Sequence, residues 1–141
     1  MESRVEKAVE LFKGGYNCAQ AVFVTYADLF RVDREQASKL SSSFGGGVGG
    51  MREVCGATSG MFMVAGLYNG TVKASDKEGK KANYEVVQFL AEKFKDENGS
   101  IICGQLLGLR PGLPEEKCKK PCVEYVRCCA RLIENHLFEE K

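Results

Sequence analysis

The stretch that most constrains this chain is FGGGVGGMREVCGATSGMFMVAGLY, residues 44–68. Five glycines fall within six positions: Gly45, Gly46, Gly47, Gly49 and Gly50. They free the backbone to adopt positive φ and to pass close to another group. The loop leads into a segment with apolar residues on nearly every side, which predicts a buried central helix. Glu53 suits the positive end of that helix, and Cys55 is then expected within its first turn. Gly56 and Gly60 are four residues apart, so they share one face. A face so small lets another backbone or a flat ligand approach closely.

Apolar spacing is helical along nearly the whole chain, and no segment alternates with period two. Its 141 residues suffice for one core. The expectation is an all-α, compact single domain spanning 1–141, a bundle of five to six helices around the Gly/Ala-rich one. A first helix over 3–13 buries Val5, Ala8, Val9 and Phe12. Asn17 caps a second, with Cys18, Ala21, Val22, Thr25, Tyr26 and Leu29 on one face. Asp33 and Gln36 have capping-box spacing for a third, lined by Ala37, Leu40 and Phe44. After the central helix, another over 80–97 presents Ala82, Val86, Phe89, Leu90 and Phe94. Ser100 caps a short turn through Cys103, and Pro121 opens the last helix. That helix turns Cys122, Tyr125, Val126, Cys129, Leu132, Ile133 and Leu137 inward.

A formal net charge of +1 gives no reason to expect nucleic acid as a partner. The basic runs Lys77, Lys80, Lys81 and Lys117, Lys119, Lys120 read as solvated faces. The charged amphipathic start does not resemble a signal peptide. The longest apolar run, 61–67, is too short for membrane insertion. A cytoplasmic location is therefore expected.

In a reducing compartment, seven cysteines point to catalytic, redox or metal-binding roles rather than a disulfide framework. The number is odd, so at least one is unpaired within the chain. Cys18, Cys55, Cys103 and Cys122 each fall near the start of a helix, where unpaired N–H groups and the helix dipole favour the thiolate. A lowered pKa makes a thiol a better nucleophile or ligand. The alternative is that they pack as small hydrophobes. Cys129 reads as core filling and Cys128 as a boundary residue. Cys118 and Cys122 are near enough in sequence for a disulfide to be considered. No C-x-x-C, C-x-x-C-H or H-E-x-x-H motif occurs. The four separated thiols leave open a zinc or iron–sulfur site, the metal alternative. No other cofactor is indicated. The glycine loop lacks both the Walker and the dinucleotide-binding context. Arg52 beside Cys55 is placed to support a thiolate, whereas Glu53 would oppose one. The single histidine, His136, reads as a helix-end residue, which argues against thiol-protease chemistry.

Asn17-Cys18-Ala19-Gln20-Ala21-Val22, Phe44-Gly45-Gly46-Gly47-Val48-Gly49 and Cys55-Gly56-Ala57-Thr58-Ser59-Gly60, followed by Cys103 and Cys122, together resemble the C_GCAxxG_C_C family, whose members are described as putative redox-active proteins. The family label writes glycine before cysteine where this chain has Cys55-Gly56-Ala57. The resemblance implies four matched cysteines, Cys18, Cys55, Cys103 and Cys122, and a redox role, but no substrate. On this reading the chain is a cytoplasmic thiol redox protein, a candidate thiol–disulfide oxidoreductase acting on an unidentified redox partner or small molecule. Cys55 is the expected reactive thiol, shielded by Gly45, Gly46 and Gly47 and supported by Arg52, Gly56 and Gly60. One of the other three cysteines would resolve it. The rivals are metal or iron–sulfur binding by the same thiols and a non-catalytic accessory module with structural cysteines. Met61, Met63 and the small face also suggest a homodimer contact.

Overall fold

The computed structural model describes residues 1–118 and 120–138; Lys119 of the second basic run lies outside them. Among the described residues the fold is all-helical, with seven α-helices: α1 (Val5–Lys13), α2 (Cys18–Ala27), α3 (Arg34–Ser42), α4 (Gly56–Asn69), α5 (Lys77–Asn98), α6 (Cys103–Leu106) and α7 (Cys122–Ile133). The count exceeds five or six because the short turn after Ser100 closes as a separate four-residue helix. No helix among the described residues is long and apolar enough to cross a membrane.

The centre is the pair α2 and α4. Asn17 caps α2 by accepting the Gln20 N–H, while the Gln20 side chain accepts the Asn17 N–H. This is a full capping box. At Asp33 only the Asp33 half of that exchange forms. The two central helices meet backbone to backbone through the glycine face. A Cβ on Gly60 would lie 2.7 Å from the Ala19 carbonyl oxygen, and one on Gly56 would lie 2.9 Å from that of Phe44. Around this contact α7 adds Tyr125, Val126, Cys129 and Ile133, and α5 adds Leu90 and Phe94. Tyr26 donates to the Ala130 carbonyl and, at 2.5 Å, to the Glu134 carboxylate, tying α2 to the end of α7.

Several expected faces are displaced. Leu29 is exposed because α2 tightens into a 3₁₀ turn at Asp28–Phe30, rotating it off the buried stripe. Leu40 is exposed because α3 buries its small residues, Ala37 and Ser41. On α5, Ala82 and Phe89 face outward. Asn83 sets the register there, donating to the Ala65 carbonyl and to Asn69 at the end of α4. Phe89 instead meets the exposed His136 ring edge-on. Met61 is fully buried, and Gly56 and Gly60 are covered by this chain's own α2. The surface suggested for a dimer contact therefore lies largely inside the fold.

Candidate functional site

The glycine loop is a left-handed coil. Gly46, Gly47, Val48, Gly49 and Gly50 all have φ between 56° and 79°. Four of the five are glycine, the residue for which this region carries no Cβ penalty. Val48 is the exception, a β-branched side chain in backbone it rarely adopts. The Arg52 N–H bonds the Gly46 carbonyl at 3.0 Å and the Glu53 N–H bonds that of Gly47 at 2.8 Å, which closes the loop.

Beyond the loop the chain runs extended, so Glu53 does not begin the helix. Cys55 is the N-cap residue of α4. Residues 52–55 lie antiparallel to 101–104 through a Val54–Ile102 bridge. The Cys55 N–H bonds the Ile101 carbonyl at 2.7 Å, and the Cys103 N–H bonds that of Glu53 at 2.6 Å. This pairing brings Cys55 and Cys103 to the same end of the molecule. Ser100 fixes the turn by accepting the Ile102 N–H and donating to Gln105.

The Gly56–Gly60 contact brings the start of α2, and so Cys18, to the start of α4. Extended backbone at Pro121, ψ 149°, makes Cys122 the first residue of α7. All four cysteines then line one cavity of about 40 Å³, together with Gly46, Gly47, Arg52, Gly56, Leu106, Leu107 and Tyr125. Of the other positions singled out in the sequence, Gly45 packs on the Asn17 side chain and Gly60 on α2. Leu106, Leu107 and Tyr125 were not singled out as site residues. The apolar pair following Cys103 was the available signal for two of them.

The order Cys55-Gly56 has a local reason. A Cβ at Gly56 would press on Phe44 and lie 3.3 Å from Cys18 Cβ, whereas the N-cap position accommodates a side chain. Gly47 is equally confined: its Cβ would come within 2.6 Å of Cys103 Cβ.

Cys122, Cys18 and Cys55 differ sharply. Cys122 is pulled down to about 6, first by its interaction with the Cys18 thiol, and then by the Arg52 charge and its own N–H; burial opposes these effects. Cys18 is raised, because its interaction with Cys122 and its burial hold its proton in place. Cys55 is pushed up to about 11 by burial, which outweighs the Thr58 and Ala57 amides at the start of α4. Cys122 is thus lowered chiefly by Cys18 and Arg52, with the helix start a lesser cause, whereas at Cys55 burial outweighs the helix start. Arg52 does not serve Cys55 in the expected way either; its Nη1 points at Cys103 Sγ, 3.7 Å away. Glu53 turns outward to Arg110, 2.9 Å away, so its charge is neutralised away from the sulfurs.

The remaining three cysteines lie elsewhere. Cys118 is free, its thiol donating to the Gln105 carbonyl at 3.2 Å, and no Cys118–Cys122 disulfide forms. Cys128 is buried rather than at a boundary, its sulfur accepting from Asn98 and Arg131. Cys129 is fully buried, and burial raises its pKa well above that of an ordinary thiol. Among the described residues no group of three or more His, Cys, Asp or Glu is arranged to hold a metal ion.

Comparison with known proteins supplies the context. The family described as "Putative redox-active protein (C_GCAxxG_C_C)" matches residues 16–136, which include all four cavity cysteines. The chain belongs to the C_GCAxxG_C_C family. An uncharacterized protein of Archaeoglobus fulgidus is 27% identical over 151 residues, covering 99% of this chain and 97% of its own. No solved structure matches significantly. In this C_GCAxxG_C_C protein the four cysteines of the label, scattered through the sequence, meet at a single cavity.

Proposed function

We propose that this chain is a dithiol redox protein in which Cys122 is the attacking thiolate and Cys18 the resolving thiol. The observation that carries the reading is that Cys18 and Cys122 line the same cavity, where their interaction lowers Cys122 and raises Cys18. A thiolate at neutral pH is the reactive form, and a second thiol in the same cavity can displace whatever the first has attacked. Two thiols become one disulfide, and two electrons and two protons pass to the acceptor. The reducing cytoplasm would return the pair to the dithiol form. Cys55 and Cys103 stand behind this pair as a protonated reserve and a thiol steadied by Arg52. This assignment moves the attacking role from Cys55 to Cys122, because burial holds the Cys55 proton on.

The test is to oxidise the native protein with diamide, digest it under acid and map the linked peptides. A Cys18–Cys122 disulfide is the expected product, lost in Cys122→Ser. The reading fails if the two remain unlinked while other cysteines pair.

A further inference from the structure

The four thiols meet in a small recess, with Cys55 and Cys103 buried and Cys18 and Cys122 half-buried. We infer that the electron acceptor of this site is a small hydroperoxide, hydrogen peroxide above all, rather than a protein or glutathione disulfide. The inference rests on the Cys18–Cys122 reading and names the substrate class for it.

Three observations carry it. The first is volume. The cavity of about 40 Å³ holds roughly three water-sized atoms. Hydrogen peroxide has two heavy atoms. An organic disulfide must present its attacked sulfur in line with its leaving sulfur, with a carbon substituent on each, so it is too large to enter the recess and meets Cys122 only from its exposed side. The second is the wall itself. Apart from the sulfurs and Arg52 it is made of Leu106, Leu107, Tyr125 and glycine backbone. No row of donors or exposed strand edge is present in that lining to grip a peptide or the carboxylates of glutathione. The third is charge. Arg52 is half-buried at the rim, its Nη1 on Cys103 Sγ and its charge felt at Cys122. A fixed cation there stabilises the negative oxygen that leaves when an O–O bond breaks.

The chemistry balances. The Cys122 thiolate forms an S–O bond with one peroxide oxygen as the O–O bond breaks. The electron pair leaves on the other oxygen as hydroxide, or as alkoxide from an alkyl hydroperoxide, and takes a proton from water. Cys122 is now a sulfenic acid. The Cys18 sulfur then bonds the Cys122 sulfur, and the displaced hydroxide takes the Cys18 proton and leaves as water. One disulfide has formed and one hydroperoxide has been reduced to an alcohol or water.

The test compares hydrogen peroxide, cumene hydroperoxide and glutathione disulfide as oxidants of the reduced full chain. Formation of Cys18–Cys122 is followed by quenched mass spectrometry, and each rate is divided by that of free cysteine with the same oxidant. In Cys18→Ser the sulfenic acid should persist and be trapped on Cys122 by dimedone. The normalised rate with hydrogen peroxide should exceed the other two by about tenfold or more, the discrimination a tight pocket supplies. Leu107→Ala, which opens the wall, should narrow that gap by speeding cumene hydroperoxide. Equal normalised rates, or a faster reaction with glutathione disulfide, overturn the acceptor while leaving the dithiol intact. If no oxidant links Cys18 to Cys122, the dithiol reading falls as well.

Discussion

Cys122 and Cys129 lie seven residues apart on α7, two turns along nearly the same face, yet their thiols are opposites. Cys122 sits at the first position of the helix, with free N–H groups, the Cys18 thiol and the Arg52 charge around it, and its pKa falls to about 6. Cys129 is sealed in the core, with no water to solvate a charge, and its pKa rises. The side chain and the helix are the same. What differs is the supply of hydrogen-bond donors and positive charge against the cost of desolvation. Cys55 shows which effect wins when both act: it caps a helix, yet burial prevails.

This comparison can be broken by alkylation. In the native protein at neutral pH, iodoacetamide should modify Cys122 about a thousandfold faster than Cys129, which must wait for the fold to open. Peptide mapping over a time course measures both, and comparable rates would remove the contrast. Gly60→Ala attacks the contact that holds Cys18 in place. Its new methyl meets the Ala19 carbonyl oxygen at 2.7 Å, which should cost about 2–3 kcal/mol in urea unfolding. The same change should slow alkylation at Cys122 as α2 shifts away from α4.

A third measurement bears on the core end of α7. Cys129→Ser puts a hydroxyl into the buried cluster and should cost about 2 kcal/mol by thermal or urea melting. The pH dependence of Cys122 alkylation should be unchanged in that variant. The pH profile is also the finest probe of the site. In the wild type the rate should be flat well above pH 6 and fall as pH drops through about 6, where Cys122 takes up its proton. Cys18→Ala removes the largest cause of the lowered value, so the midpoint should rise by about one unit or more. Arg52→Gln should raise it less, since the guanidinium acts on Cys122 through charge alone.

Much of the architecture was legible in the chain. Asn17, Asp33, Gly70 and Gly99 mark helix ends where local rules place them, because capping depends on neighbours a few residues apart. The four cavity cysteines were legible as a set, each recognisable by its place at the start of a helix. Faces were less so. Phe89 and Leu29 look like core in a periodic reading but are exposed, because a 3₁₀ turn and the Asn83–Asn69 contact rotate the helices that carry them.

The sequence by itself determined that this chain is helical, where its glycine coil must lie, and which four sulfurs sit at helix starts. These are short-range matters of backbone freedom and hydrogen-bond supply. Only the tertiary structure decided that Cys122 is lowered while Cys18 and Cys55 are raised. That difference depends on the extended 52–55 segment pairing with 101–104, on α2 lying flush against the glycine face of α4, and on Arg52 turning toward Cys103 and acting by charge on Cys122. A thiol's pKa is the sum of desolvation and nearby charge, and both are set by residues far away in the chain.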